Sequence, residues 1–218
     1  MVAGILRLST KYDVKYLRRQ SMQHLLSVYT ATLDGWDQRN TDLIPAFSGR
    51  PLAVYCLARE VDIPIILPAA LYGCATSAFE ILLDGVTLRD DSHIELNWRD
   101  KRTCIVARSR LSDVLLGRIF KFLLDHRPPG CSTAANCTAG RMKHLRKLQA
   151  KSLTMAGPRP LSKRFLKGFE DDVCDCCYAA SQASFVAARR ALWDDLPSIF
   201  GLPSWQELRA ATDVDIPS

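Results

Sequence analysis

Apolar residues recur every three or four positions through most of this sequence, and this spacing constrains the chain to a helical fold more strongly than any other feature. Residues 2–12 carry one apolar stripe and residues 14–28 carry a second, with Asp13 placed to cap the second helix. The two stripes consist of Ile5, Leu8 and Tyr12, and of Val14, Leu17, Ser21, Leu25 and Val28. Because two amphipathic helices cannot bury both stripes alone, we expect residues 1–28 to pack on later helices or on a partner chain.

Further helices are predicted from the same spacing over residues 52–61, 67–83, 110–126, 140–153 and 171–195. Pro197 is expected to end the last of these, and Ser204 with Glu207 has the spacing of a capping box for a short terminal helix. The polar residues 84–103 are expected to be irregular, and they contain one weak strand candidate at residues 94–98. The sequence therefore predicts a mainly α protein, in the form of an irregular helical bundle.

Composition places the chain among ordinary globular proteins. Its 218 residues are 48% apolar and 24% charged, which is enough to build a packed core. Residues 1–30 carry charges throughout and lack the continuous apolar segment of a secretory signal. The best candidate for a membrane span, residues 63–79, is of minimal length and is interrupted by Pro64 and Pro68. We therefore expect an intracellular protein of the cytoplasm or nucleus, with no membrane partner.

The net charge of +6 is concentrated in one segment. Residues 127–169 contain ten Lys or Arg residues and no Asp or Glu, and residues 140–153 within them place four cations opposite an apolar helical face. These four cations are Lys143, Arg146, Lys147 and Lys151. The pattern fits a helix that contacts nucleic acid, a membrane surface or an acidic protein, and it also fits a solvated surface. We favour the solvated surface, because within residues 127–169 no Phe, Tyr or Trp that could stack on bases lies among the cations before Phe165.

Four of the eight cysteines form two pairs that suggest metal chemistry. Cys131 and Cys137 flank five small or polar residues, while Cys174 and Cys177 would project from the same side of a helix, one turn apart. Cys176 would point elsewhere. Two such pairs can close a tetrahedral zinc site with four cysteine ligands, because zinc binds thiolates and nearby Lys and Arg favour the thiolate form.

Two other interpretations of these cysteines stay open. Reduced, buried thiols are the common state in an intracellular chain, and the C-x5-C spacing is not that of a standard zinc knuckle. A disulfide or a redox pair is the third interpretation, although a redox C-x-x-C normally belongs to a βαβ setting. Cys56, Cys74 and Cys104 lie in apolar or mixed surroundings, which is typical of small core residues.

The sequence contains none of the common catalytic signatures. It lacks a G-x-S-x-G elbow, a P-loop, a Rossmann glycine pattern and an H-E-x-x-H motif. Its histidines are scattered, at His24, His93, His126 and His144. Its acidic pairs, Asp90 with Asp91 and Asp171 with Asp172, lie near expected helix starts, where carboxylates complement the helix dipole. We therefore predict that the protein is not an enzyme.

Residues 4–25 resemble the final two helices of the BTB/POZ fold, in the form found in a large group of fungal, basidiomycete-type proteins. The residues that carry the resemblance are Leu6, Leu8, Thr10, Lys11, Tyr12, Val14, Tyr16, Leu17, Arg18, His24 and Leu25. The likeness continues more loosely over residues 57–72, 130–146 and 191–208. The chain thus resembles the C-terminal portion of a BTB/POZ protein, without most of the BTB domain itself.

This resemblance implies an organisation and a function. Residues 1–30 would be the remnant of the BTB helix pair, and residues 31–218 would be a helical C-terminal region that includes the basic segment 127–169. The function implied is that of a non-enzymatic module or scaffold that binds a protein partner. The alternative is a nucleic-acid- or chromatin-associated factor that uses the basic residues 140–167, together with a structural zinc site.

Overall fold

Helices dominate the computed structural model, which confirms the predicted mainly α class. The structure describes residues 2–44, 46–88, 90–124, 128–152 and 157–212, apart from the side chains of Lys151 and Ser152. The chain divides into two compact units. The terminal unit consists of Met1–Ala107 with Asp194–Ser218, and the central unit consists of Arg108–Trp193. The domain boundary expected after residue 30 stays a prediction.

The structure contains eleven α-helices and two short strands within the described residues. In chain order the helices are α1 (Val2–Lys11), α2 (Lys15–Leu26), α3 (Leu33–Gln38), α4 (Arg50–Glu60), α5 (Leu67–Ala75), α6 (Phe79–Asp84), α7 (Trp98–Val114), α8 (Lys121–Leu124), α9 (Ala134–Ser152), α10 (Asp175–Ile199) and α11 (Trp205–Ala210). Two short strands, β1 (Val86–Thr87) and β2 (His93–Ile94), lie between α6 and α7. Short 3-10 turns occur at Thr41–Leu43, Pro64–Ile66 and Lys163–Phe165. Within the described residues, no helix is both long enough and apolar enough to cross a membrane.

The first two helices form, but α1 buries a different face. α1 packs against α2, and Leu6 and Leu25 are buried in the core of the terminal unit. Leu8 and Tyr12, which the predicted stripe of α1 placed inside, are exposed. Ser9 is buried instead, because its hydroxyl donates a hydrogen bond to the Leu6 carbonyl at 3.0 Å and so needs no water. The predicted apolar stripe of α1 is therefore wrong.

Two predictions for α2 are wrong as well. Val14, not Asp13, is the N-cap residue of α2, and no side chain among the described residues caps that helix. Of the predicted α2 stripe, Ser21, Leu25 and Val28 are buried, whereas Val14 and Leu17 are exposed.

The single helix predicted over residues 67–83 is also wrong, since the chain forms α5 and α6 there. The hydroxyls of Thr76 and Ser77 donate hydrogen bonds to the Gly73 carbonyl at 3.3 and 2.8 Å. Hydroxyl side chains that bond the nearby backbone compete with continuation of the helix, and α5 ends at Ala75.

Residues 84–103 are only partly irregular. Thr87 pairs with His93 in the antiparallel ladder of β1 and β2, so the strand candidate at residues 94–98 forms a strand only at Ile94. The helix α7 begins at Trp98, inside the region expected to be irregular. The side chain of Asn97 accepts a hydrogen bond from the Asp100 N–H at 2.9 Å, which caps the first turn of α7.

An aromatic core holds the central unit together. Phe122 packs edge-to-face against Phe169 and Phe185, with ring centroids 5.3 and 5.7 Å apart. Phe120 packs in the same way on Phe165, at 5.1 Å. Each such pair stabilises a fold by about 0.5–1.5 kcal/mol beyond the burial of its area. None of the cysteines belongs to this core, although Val173 and Tyr178, which are adjacent to Cys174 and Cys177, pack against it.

Two long helices depart from prediction in their detail. The helix predicted over residues 110–126 is the end of α7, followed by a π-helical segment at Leu115–Ile119, a turn at Phe120 and the short helix α8. Residues 125 and 126 lie outside the described residues. The helix α10 begins at Asp175 and continues past Pro197 to Ile199, so the prediction that Pro197 ends it is wrong. Pro197 removes only one backbone N–H, and it lies in the last turn, where that loss affects a single hydrogen bond.

The capping box at the start of α11 is confirmed. The Ser204 hydroxyl accepts a hydrogen bond from the Glu207 N–H at 3.3 Å, and the Glu207 carboxylate accepts one from the Ser204 N–H at 2.8 Å. Trp205 and Leu208 are buried by the short helix that this cap starts.

Candidate metal centre

The four cysteines predicted as metal ligands come together in the central unit. The Sγ atoms of Cys131, Cys137, Cys174 and Cys177 all lie within 4.8 Å of one another. The Sγ atoms of Cys131 and Cys174 are 4.0 Å apart. Four thiolates around one metal ion, each about 2.3 Å from it, would be about 3.8 Å from one another in a tetrahedron, whereas a disulfide needs about 2.05 Å. The sulfur spacing therefore suits a shared metal ion, and all eight cysteines are free thiols.

A tight turn presents Cys131. Its N–H donates a hydrogen bond to the Pro128 carbonyl at 3.3 Å, which closes a four-residue turn. Gly130, the third residue of that turn, has a φ of +95°, and Pro129 precedes it. A turn of this form calls for proline in the second position and glycine in the third. Pro129 and Gly130 therefore position the first cysteine.

Cys137 lies in the first turn of α9. Its N–H donates to the Thr133 carbonyl at 2.9 Å, so Thr133 is the N-cap residue of α9. The Thr133 hydroxyl lies 3.3 Å from the Cys137 sulfur, within hydrogen-bonding distance for a sulfur acceptor. The loop expected between Cys131 and Cys137 is thus shorter than predicted, because α9 already begins at Ala134.

The start of α10 supplies the second pair. Cys174 precedes the helix, its carbonyl accepts the Tyr178 N–H at 2.9 Å, and its sulfur accepts a hydrogen bond from the backbone N–H of Cys177. Cys174 thus acts as the N-cap of α10, with its sulfur near the positive end of the helix dipole. Cys176 lies outside the cluster, with its sulfur 3.6 Å from the Pro129 carbonyl oxygen, which confirms the predicted separation of the three cysteines.

The segment before α10 lies directly on α9 because residue 140 is glycine. A Cβ atom at Gly140 would be 1.7 Å from the carbonyl oxygen of Asp172, far inside any tolerable contact. Two residues further along, the Cys174 N–H donates a hydrogen bond to the Cys137 sulfur at 3.3 Å. Backbone contact at Gly140 and the four sulfurs therefore join the same two segments.

Hydrogen bonds to sulfur separate the pKa values of the thiols. The Thr133 hydroxyl and then the Cys174 N–H lower the pKa of Cys137 to about 6. The Cys177 N–H lowers the pKa of Cys174, whereas burial raises the pKa of Cys177 to about 12. Two of the thiols are thus biased toward the thiolate that binds metals, and a metal ion displaces the protons of the others when it binds.

A buried cation lies beside the cluster. Arg141 is 6% exposed, and its guanidinium donates a hydrogen bond of 2.6 Å to the Phe122 carbonyl. The same guanidinium hydrogen-bonds the Cys177 side chain, which lowers the pKa of that thiol against the larger effect of burial. A fixed positive charge at this place favours a negatively charged set of sulfurs.

A second charged group, centred on Asp172, fastens the same segment to α9. The Asp172 side chain is 1% exposed, and its carboxylate lies 2.7 Å from Lys143 Nζ and 2.8 Å from Lys147 Nζ. His144 contributes its Nδ1 atom, 3.6 Å away, while its Nε2 atom is 2.8 Å from the Phe165 carbonyl oxygen. Burial raises the pKa of the Asp172 carboxyl, but the two ammonium groups outweigh it and lower that pKa to about 2. Asp172 is therefore held as a carboxylate.

The four cations predicted to contact anions fall into three situations. Lys143 and Lys147 pair with Asp172, and Arg146 is exposed on α9. The side chain of Lys151 lies outside the described residues. Their contact with an external anion stays a prediction.

Comparisons of this chain with protein-family models, with curated proteins and with solved structures returned no match. The BTB/POZ resemblance therefore stays a prediction, and the cysteine cluster stands on its own geometry.

Sequence reasoning missed three residues of the site. In the sequence, Gly140 resembles an ordinary helical glycine, Arg141 one more surface cation, and Asp172 a helix-dipole partner. The signal that points to this stretch is its position: Glu170, Asp171 and Asp172 are the first acids after segment 127–169, which contains ten cations and no acid to neutralise them, and Asp172 lies two residues before Cys174.

Proposed function

We propose that this chain is a non-enzymatic, helical protein-interaction module whose central unit is fastened by a structural zinc ion. The observation that supports the zinc is the set of four convergent cysteines, Cys131, Cys137, Cys174 and Cys177. Four protein ligands complete the tetrahedral coordination of zinc, so no position stays open for a substrate. A site of this kind stabilises a fold and does not carry out a reaction.

Zinc is the metal of choice for these ligands. Four thiolates form a soft, tetrahedral set that suits zinc better than it suits the hard, oxygen-binding ions magnesium and calcium. The N–H of Cys174 and the hydroxyl of Thr133 point toward Cys137, which is the kind of outer hydrogen bonding that orients metal ligands. Zinc at this place would join the Pro128–Cys131 turn, the start of α9 and the start of α10.

Metal analysis of the purified protein tests this assignment. The wild-type chain is expected to retain about one zinc ion after dialysis, and the Cys177→Ser variant is expected to retain almost none. Cys176→Ser is the matched control, because Cys176 is the adjacent residue but lies outside the cluster. Zinc contents that are equal in the two variants, or a wild-type chain without metal, would contradict the site.

The interaction surface proposed is on the first two helices. Five apolar residues within ten positions are exposed there, and we call them the tyrosine face: Leu8, Tyr12, Val14, Tyr16 and Leu17. Tyr12 is 66% and Tyr16 is 70% exposed. Groups of exposed apolar side chains mark binding sites, and tyrosine is enriched among the residues that dominate binding energy. The BTB/POZ resemblance of the same residues supports this choice.

The charges around the tyrosine face indicate the kind of partner. Lys11, Lys15 and Arg19 are exposed beside it, and Asp13 is the one acid among residues 2–28. A partner with acidic residues around an apolar patch would complement this surface and would be steered toward it.

Replacing both tyrosines is the direct test of this surface. Tyr12→Ala with Tyr16→Ala is expected to reduce recovery of a protein partner at least about tenfold in quantitative pull-down experiments, because each buried anchor contributes about 2 kcal/mol. Trp98→Ala is the matched control, since Trp98 is 71% exposed in the same unit but lies outside the tyrosine face. Equal loss in both variants, or the same partners at the same yield, would count against the surface.

A further inference from the structure

Lys143, His144 and Lys147 form a cradle for an anion on α9. Lys143 and Lys147 are one turn apart, and their Nζ atoms converge on one carboxylate at 2.7 and 2.8 Å. This carboxylate is that of Asp172, whose side chain is 1% exposed, whereas the Lys143 and Lys147 side chains are 65% and 44% exposed. The cradle is thus open toward water on the lysine side and is filled from the protein side by Asp172.

The anion and the cradle come from different segments, and this makes their contact separable. The three basic residues belong to α9, which has no Asp or Glu among its 19 residues. Asp172 belongs to the short stretch before α10, two residues from Cys174. Metal coordination by Cys174 and Cys137 would hold that stretch on α9. The basic groups stay together on one helix whether or not Asp172 is present.

We propose that this cradle is a binding site for nucleic-acid phosphate that Asp172 occupies in the metal-bound protein and vacates when the metal leaves. The inference rests on the zinc site proposed above. The metal site would hold the Asp172 carboxylate beside the cradle through the neighbouring ligand Cys174. Asp172 therefore has a high effective concentration there, and an external phosphate competes poorly with it. Loss of the metal removes this advantage, and Lys143 and Lys147 then contact phosphate together with the exposed Arg146.

Nucleic acid is a better ligand for this helix than a membrane surface. A helix that lies on a membrane needs a wide exposed apolar face beside its cations. On α9, Leu148 is buried, Leu145 is half-buried in the core, and only Met142 is substantially exposed among these three. Phosphate contacts alone give sequence-independent binding, which is what a cradle of lysines without aromatic neighbours can provide.

The effect of Asp172 can be measured without removing the metal. Zinc-loaded Asp172→Asn protein is expected to bind a DNA duplex of about 20 base pairs at least about tenfold more tightly than wild type at about 0.1 M salt. The slope of log affinity against log salt should steepen by about 2, because two lysines gain phosphate contacts. Asp171→Asn is the matched control: it removes the same charge from the exposed neighbouring residue, whose effect on Lys143 is much weaker than that of Asp172, and it should change the slope far less. Equal behaviour of the two variants would overturn the proposal.

A second variant and a second measurement cover the case in which Asp172→Asn unfolds. Adding Lys143→Gln and Lys147→Gln to it should abolish the gain in DNA binding, with circular dichroism to check that each variant is folded. Chelation of zinc from the wild-type protein should raise DNA affinity, and DNA should in turn weaken zinc binding by the same factor. Stronger binding of metal-free protein to anionic lipid vesicles than to DNA would overturn the choice of nucleic acid.

Failure of this proposal is distinguishable from failure of the zinc site. If the protein retains zinc but shows no difference between Asp172→Asn and Asp171→Asn, the metal centre is supported and the phosphate-binding cradle is contradicted. If the protein retains no zinc, the proposed metal centre is contradicted, and the comparison of the two aspartate variants then tests only the phosphate-binding cradle.

Discussion

Replacing Cys177 with serine is expected to lower the free energy of unfolding of the central unit by about 4 kcal/mol or more, because loss of a metal belongs to the most destabilising class of substitutions. Cys177 is fully buried, so the serine hydroxyl would be left in an apolar site without the coordination that thiolate provides. In a unit of this size, a loss of about 4 kcal/mol lowers the midpoint of thermal unfolding by about 15 °C or more. Treatment of the wild-type protein with a chelator should reproduce this shift.

The loss should be local in its structural effect. The aromatic core around Phe122 is made of rings that do not belong to the cysteine cluster, so the helices that carry it should remain folded at 25 °C. Hydrogen exchange measured by mass spectrometry should therefore accelerate in residues 128–140 and 170–178 and stay slow in residues 116–124. Cys176→Ser provides the control for serine substitution in the same helix. Uniform acceleration across the unit, or none at all, would show that the cysteines do not fasten these segments.

The cysteine cluster is predictable in part because its geometry is local to each pair. Residues three apart at the start of a helix lie on one side, and this spacing alone separates Cys174 and Cys177 from Cys176. Cys131 and Cys137 are close in sequence, so they must also lie close in space. Local spacing does not decide whether the two pairs meet, since 36 residues separate Cys137 from Cys174. That meeting depends on tertiary packing.

The residues that sequence reasoning missed all act across that packing. Asp172 is a partner for Lys143 and Lys147 only because the segment before α10 folds back on α9. The periodicity of α1 failed for a related reason: the spacing of Ile5, Leu8 and Tyr12 is helical, but the neighbours in the fold select Leu6 and Ser9 for burial. Apolar periodicity predicts that a segment is helical, but it does not determine which side of the helix is buried against other elements.

Gly140→Ala is expected to weaken the metal centre although it changes no ligand. In an isolated helix this substitution is stabilising by about 0.5–1 kcal/mol, because alanine has the higher helix propensity. Here the new Cβ would lie 1.7 Å from the Asp172 carbonyl oxygen and 2.7 Å from its carbonyl carbon, so the segment before α10 must move away from α9. That movement pulls Cys174 away from Cys137 and Asp172 away from its lysines. We expect zinc affinity to fall by about 10–100-fold, the range seen when groups outside the ligand shell are disturbed, and stability to fall by about 1–3 kcal/mol.

Gly117→Ala is the matched control for this backbone contact. Gly117 is also a helical glycine of the central unit, but a Cβ added there meets no atom within 4 Å. It should leave zinc affinity unchanged and raise stability slightly, as the propensity of alanine requires. Zinc affinity is measured by competition with a chromophoric chelator, and stability by thermal unfolding of the zinc-loaded proteins. If Gly140→Ala instead behaves like Gly117→Ala in both measurements, the segment before α10 does not rest on α9, and the contacts of Asp172 and Cys174 with that helix cannot hold the centre together.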